Sequence, residues 1–269
     1  MIAAAQTHET TAVVFEQPEA LSVRALALKP MGDNEVCIAV AASGVSTGTE
    51  RLLWSGRMPP FPGLGYPLVP GYESVGEIVD AGPGARSRIG ERSFVPGAAC
   101  FEDARGLFGA TASTLIAPSD RVISLPDTLA EEGALRALAS TARHAIAGGD
   151  PPDLIVGHGV LGRLLARLSL AEGFEAPTVW ETNPARRNGA DGYQVVDPAD
   201  DDRRDYRAIY DVSGDSGLLN TLIGALARGG EVVLAGFYEK DLSFAFPPAF
   251  MKEARIRVAA EWRPDDMTA

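Results

Sequence analysis

A chain of 269 residues, 46% apolar and 22% charged, is long enough for two domains and shows no compositional sign of disorder. Its formal net charge of −12 sets the surface against phosphate backbones and anionic headgroups, which argues against nucleic acid as a partner. Only two cysteines (Cys37, Cys100), no secretory signal in Met1–Thr10 and no run of about 18 apolar residues point to a cytoplasmic protein without a four-cysteine zinc lobe or a transmembrane segment.

In chain order, Thr11–Phe15, Leu21–Leu28 and Glu35–Ala41 read as strands of alternating or β-branched residues. A long stretch from Ser43 to Pro70 follows, crowded with Gly, Pro, Ser and Thr. Its apolar members (Leu52, Leu53, Trp54, Met58, Phe61, Leu64, Tyr66, Leu68) keep neither helical nor strand spacing, and a loop of that length is usually functional. Tyr72–Val79 is a strand closed by Ala81-Gly82-Pro83-Gly84. Arg92–Val95 and Ser113–Ala117 extend a small barrel or folded sheet to Leu125.

The pattern then changes. Leu129–Ala147 reads as a helix, stopped by Gly148-Gly149-Asp150-Pro151-Pro152. Beyond it, strands (Asp153–Val156, Thr178–Trp180, Gln194–Val196, Ala208–Val212, Glu231–Ala235, Ile256–Ala260) alternate with helices at Val160–Ala171 and Gly217–Ala227. Such alternation predicts a parallel, doubly wound sheet. The expected organisation is a β-rich domain over 1–128, a bridging helix over 129–150 and a dinucleotide-binding domain over 151–269.

Gly157-His158-Gly159-Val160-Leu161-Gly162 joins a predicted strand to a predicted helix, and the acid Glu181 ends the next strand about 20 residues on. Gly157 suits the tight turn, Gly159 the close approach of backbone N–H groups to a pyrophosphate, and Gly162 the packing of helix on sheet. A carboxylate at Glu181 favours the ribose hydroxyls of NAD over the 2′-phosphate of NADP, although Arg186 and Arg187 follow in the same loop. Ser213 and Gly236 are expected at the same carboxyl edge of the sheet.

A β-rich half, a connecting helix and this Rossmann half resemble the medium-chain dehydrogenase/reductase superfamily from about Thr11 to Glu261, which implies a GroES-like first domain. Four strings are especially similar to zinc-free members that act on tetrapyrrole alcohols: STGTERLLWSGRMPPFPGLGYPLVPGYE (Ser46 to Glu73), GHGVLGRLLARL (Gly157 to Leu168), VWETNPARR (Val179 to Arg187) and FAFPPAF (Phe244 to Phe250). The resemblance implies a tetrapyrrole substrate whose 3-(1-hydroxyethyl) group is oxidised to 3-acetyl, with hydride passing to NAD. The Ser43–Pro70 loop then offers Trp54 and Phe61 to a flat macrocycle and Arg51 and Arg57 to a propionate, or it folds against its own barrel.

Zinc-dependent superfamily members carry a Cys ligand where this chain has Ser46, a His ligand where Gly71-Tyr72-Glu73 puts Tyr72, and a third ligand four residues before a cofactor-contacting Thr. Matching that Thr to Thr141 gives Ala137, so no metal is expected. The proton acceptor must then come from retained polar groups: Ser46, Thr49, Glu50, Tyr72 and Glu73, with His144 as a further candidate. Two other readings share these features, a zinc-free NADPH-dependent quinone or enone reductase and a noncatalytic nucleotide-binding partner protein. The chain stops at Ala269, soon after its last predicted strand. Superfamily chains usually return to the first domain there, so apolar surface is expected to be exposed or covered by a second copy in a homodimer.

Overall fold

The computed structural model describes residues 9–60 and 62–268; Phe61, read above as a substrate contact, lies outside them. The chain divides into two compact units, Met1–Ala137 and Leu138–Ala269. Among the described residues no helix is long and apolar enough to cross a membrane.

The first unit opens with an antiparallel hairpin, β1 (Glu9–Gln17) and β2 (Ala20–Ala27). An antiparallel sheet follows, built from β3 (Glu35–Ser43), β4 (Ser74–Ala81), β5 (Arg92–Val95), β6 (Thr114–Pro118) and β7 (Ile123–Ser124) in the order β6-β3-β4-β5-β7. Val36, Ile38, Ile78, Val95 and Leu115 turn inward to form its core, while Glu77 and Val79 alternate outward on β4. At Gly76 a side chain is excluded, because a Cβ would lie 2.2 Å from the Ala39 carbonyl across the sheet.

The Ser43–Pro70 stretch departs from its reading as irregular loop. It contains α1 (Thr49–Trp54), whose Leu52 and Leu53 are buried. Six residues give under two turns, too short for helical periodicity to emerge from the sequence. Leu53 and Leu68 pack with Phe15 into a satellite core, edged by Met58, Leu64, Tyr66, Leu107 and Phe108. Much of the apolar surface in this stretch is therefore spent on its own domain.

The predicted single helix at Leu129–Ala147 is also corrected. Residues Glu131–Leu135 form a 3₁₀ turn, and the α-helix α2 runs over Arg136–Ala147. Gly133 explains the tighter winding: a Cβ there would meet Leu125 at 2.6 Å, so the backbone is drawn close.

In the second unit six parallel strands stand in the order β10-β9-β8-β11-β12-β13. They are β8 (Leu154–Val156), β9 (Thr178–Trp180), β10 (Gln194–Val196), β11 (Tyr206–Asp211), β12 (Leu226–Leu234) and β13 (Arg255–Val258). Ile155, Tyr210 and Val233 face one core with Ala142 of α2 and Leu165 of α3 (Val160–Ala171). Leu154, Ile209 and Val232 face the other with Leu222 and Ile223 of α4 (Leu219–Ala225). Burial on both faces is why these strands are continuously apolar. The helix expected at Gly217–Ala227 is shorter because Leu226 already pairs with Tyr206 as part of β12. Two short helices were not foreseen, α5 (Phe246–Lys252) and α6 (Pro264–Thr268).

Chain order reverses between β8, which continues to β9 on one side, and β11 on the other. Such a reversal opens a crevice beyond the carboxyl ends of the strands, where ligands bind in doubly wound sheets.

Candidate active site

At that carboxyl edge the three glycines of the turn take three different tasks. Gly157 has φ +105°, a backbone region that side chains rarely enter. A Cβ on Gly162 would lie 1.9 Å from the Gly157 carbonyl, so only glycine lets α3 seat on the turn. A Cβ on Gly159 would meet nothing within 4 Å. Gly159 and Val160 are exposed where α3 begins, leaving room and free N–H groups for an anion at the positive end of a twelve-residue helix. Leu161 follows, half-buried. These features fit a dinucleotide pyrophosphate.

Glu181 follows β9 and is 7% exposed. Its Oε2 accepts from the His158 backbone N–H at 3.0 Å and its Oε1 from that of Asn183 at 2.8 Å. The carboxylate thus braces the glycine turn, and each oxygen keeps a further acceptor site for a ribose hydroxyl. His158 is 1% exposed; its Nδ1–H donates to the Arg186 carbonyl at 2.6 Å, while Nε2 accepts from the Tyr193 hydroxyl at 2.8 Å. Burial pushes its pKa down, in keeping with this neutral tautomer. Arg187 is committed to the Glu181 and Thr182 carbonyls (2.8 and 3.0 Å) and to the Asp197 carboxylate. Arg186 is exposed.

Ser213, Gly214 and Gly236 close the same edge. The Ser213 hydroxyl donates to Asp211 at 2.6 Å, and the Gly236 N–H donates to the Asp211 carbonyl at 3.0 Å. Asp211, 2% exposed, escaped the sequence reading because it ends a strand in an apolar run; burial raises its pKa. Thr141 and His144 lie on α2. The His144 Nδ1–H donates to Asp266 of α6 at 2.8 Å.

In the first unit the polar residues singled out by sequence come together. The side chains of Ser46 and Thr49 lie close enough to the Tyr72 hydroxyl to bear on its ionisation, and its ring meets Phe108 edge-on at 5.3 Å. Ser46 Oγ accepts from the Gly48 and Thr49 N–H groups, both at 3.3 Å. Glu50 and Glu73, each 4% exposed, lie close enough to act electrostatically on Tyr72 and on each other. Burial, with Glu50 and Glu73 nearby, pushes the Tyr72 phenol up to about 12. Burial carries Glu50 to about 7, and burial together with Glu50 does the same for Glu73.

The residues at the three superfamily ligand positions do not make a zinc site. Ser46 and Tyr72 offer neutral hydroxyls, the raised phenol pKa keeps Tyr72 protonated, and Ala137 offers a methyl group. Of the residues read as substrate contacts, Arg51 is exposed and Trp54 is 38% exposed, while Arg57 donates to Ser55 Oγ at 3.1 Å.

An antiparallel GroES-like unit joined to a Rossmann sheet with a glycine turn defines a medium-chain dehydrogenase/reductase. The model of the alcohol dehydrogenase GroES-like domain matches residues 32–127. A solved putative zinc-binding dehydrogenase from Sinorhizobium meliloti, bound to NADP, superposes with a TM-score of 0.81 at 20% identity, covering 97% of this chain and 87% of that one. The 2-desacetyl-2-hydroxyethyl bacteriochlorophyllide A dehydrogenase of Rhodobacter capsulatus is 57% identical over 97% of this chain and 84% of its own length. Its counterpart in Cereibacter sphaeroides is 55% identical over the same shares. The chain belongs to this bacteriochlorophyllide dehydrogenase family.

Proposed function

We propose that this chain oxidises the 1-hydroxyethyl side chain of a bacteriochlorophyllide to acetyl, a step of bacteriochlorophyll biosynthesis, using NAD and no zinc. The observation that carries the reading is the Ser46–Tyr72–Thr49 hydroxyl cluster, with Ser46 and Tyr72 at the positions that ligands take in zinc-dependent superfamily members, in a chain 57% identical to a dehydrogenase named for that substrate.

The backbone at Gly157, Gly159, Val160, Leu161 and Gly162 holds the pyrophosphate, Glu181 the adenosine ribose, and Thr141, Ser213 and Gly236 the nicotinamide end. Bound there, the nicotinamide supplies the hydride acceptor. A 2′-phosphate about 4 Å from Glu181 would be repelled by about 4 kcal/mol at an effective dielectric of about 20, which supports NAD over NADP. Arg51 and Arg57 pair with a propionate and Trp54 covers a macrocycle face. Ser46, Thr49 and Tyr72 receive the carbinol hydroxyl and take its proton, with Glu73 beside them. His144 is a second candidate acceptor: Asp266 on Nδ1 fixes the ring and leaves Nε2 to take a proton. Without zinc, positive charge at the carbinol carbon is stabilised by delocalisation into the conjugated ring.

Anaerobic incubation with NAD and a 3-(1-hydroxyethyl) bacteriochlorin tests this directly. The expected result is a red shift of the long-wavelength band as the acetyl group joins the conjugation, faster with NAD than with NADP. No shift with either cofactor overturns the substrate, and a preference for NADP overturns the cofactor.

A further inference from the structure

Oxidising a secondary alcohol frees the hydroxyl proton in addition to the hydrogen and electron pair taken by the nicotinamide. The hydroxyls that receive it cannot keep it: Tyr72, pushed up to about 12, holds its own proton, and Ser46 and Thr49 are weaker acids still. A relay of neutral hydroxyls needs a base behind it.

Behind this one lie two buried carboxyls without a counter-ion. Neither oxygen of Glu50, nor Oε1 of Glu73, closes a hydrogen bond. The backbone N–H groups of Glu50, Ser46 and Gly71 lean toward the Glu50 carboxylate and lower its pKa, but none reaches hydrogen-bond geometry. Among the described residues no arginine, lysine or histidine pairs with either carboxyl. The Glu73 carboxyl fits only because residue 44 is glycine, where a Cβ would stand 2.2 Å from Oε2.

The titratable groups facing the pair are each other and the Tyr72 phenol. Its other polar neighbours are Ser46 and Thr49, with Ser43 and Thr111 hydrogen-bonded at 3.3 Å beside Gly71, while Arg51, next along α1, is exposed. Two carboxylates so placed, in a medium of low dielectric, cannot both ionise near neutrality.

We infer that Glu50 and Glu73 form a carboxyl pair that holds one proton at rest and is the proton sink of the reaction. The inference rests on the proposed alcohol oxidation for the source of the second proton, but not for the resting state. In turnover the substrate O–H proton passes to a cluster hydroxyl, whose own proton passes to the ionised carboxylate. The pair then carries two protons, and loss of one to water restores the resting state; no electrons move in these transfers. Glu50 acts through the hydroxyls and is a positioning residue, held behind the reacting atoms.

Infrared difference spectra of the free protein, with neither substrate nor cofactor, read the resting state as pH is stepped through neutrality. The carbonyl stretch of the protonated carboxyls should fall to about half with a midpoint near 7 and persist above it, because only one of the two protons leaves there. In Glu50→Gln the remaining Glu73 band should vanish at lower pH, because its repelling neighbour is gone. Absence of any protonated-carboxyl band just above pH 5 overturns the pair, whether the carboxylates are simply ionised or hold a cation.

In turnover, kcat/KM of the unmodified protein should rise with pH through a limb near 7. Glu50→Gln should move that limb to lower pH and, because the lone Glu73 is a weaker base, lower the plateau rate about tenfold while binding NAD as before, and Glu50→Asp should restore the limb near 7. Oxidation that persists in Glu50→Gln with its limb intact overturns the proton sink. A normal band without any bacteriochlorin oxidation overturns the proposed reaction and leaves the resting pair standing.

Discussion

The glycine turn of the second unit and the hydroxyl–carboxyl cluster of the first treat buried polar groups in opposite ways. Around the turn, Glu181, His158, Tyr193 and Arg187 hold one another and the backbone in a closed hydrogen-bond network. Behind Tyr72, three carboxyl oxygens are buried with no partner. A satisfied network rigidifies, which suits a cradle for a cofactor that arrives and leaves unchanged in shape. Unsatisfied carboxyls cost stability and shift their pKa values toward neutrality, which suits proton transfer.

The largest effect is expected within the turn itself. Gly162→Val places a side chain where even a Cβ sits 1.9 Å from the Gly157 carbonyl, so calorimetry should show a loss of about 3 kcal/mol or more and no measurable NAD binding. Gly159→Ala, which fills open space, should leave Tm unchanged and weaken NAD about tenfold. Equal thermal losses for the two would mean the turn is not pre-shaped for an anion.

Glu50→Gln probes the unsatisfied carboxyls of the first unit. A carboxyl carried from 4.5 to about 7 by burial penalises the fold by up to about 3 kcal/mol once ionised. The native protein binds the extra proton between those values, so stability falls as pH rises from about 4.5 to 7 and the penalty is complete above. The variant should therefore unfold at higher denaturant than the parent at pH 8 and at the same denaturant at pH 4. A gain that is the same at both pH values would assign it to packing instead.

Glu181→Ala leaves the His158 and Asn183 N–H groups without their acceptor, at about 1–3 kcal/mol, and should also narrow the preference for NAD over NADP. Arg187→Ala should loosen the same loop, whereas Arg186→Ala should leave stability unchanged, since its exposed side chain braces nothing. The smallest effect is expected at His144: with the first-unit carboxyls taking the proton, His144→Asn should lower kcat by no more than about threefold, and a loss of about 100-fold would make its free Nε2 the base instead.

The second unit was legible where its signals are local. The β-α alternation, the glycine spacing and the acid after β9 each follow from turn chemistry within a few residues. What Glu181 does was not legible, because its partners are backbone N–H groups placed only by the folded turn. In the first unit, α1 is too short for a period, so Leu52 and Leu53 read as loop surface although both are buried. Ser46, Thr49, Glu50, Tyr72 and Glu73 were all recognisable as polar groups near the place of the superfamily's zinc ligands. That the two carboxyls lack partners depends on Gly44, Gly71 and the packing of α1, none of which a linear reading measures.

Alcohol oxidation in this chain is proposed to draw on its own hydroxyls and carboxyls in place of a metal. The most direct measurement is the rate of 3-acetyl formation from the hydroxyethyl substrate and NAD by protein whose zinc content has been measured and then stripped with a chelator. The expected result is zinc well below one equivalent at the outset and a rate unchanged by chelation. A full equivalent of zinc bound at Tyr72, with activity lost on removal and regained on its return, would contradict it.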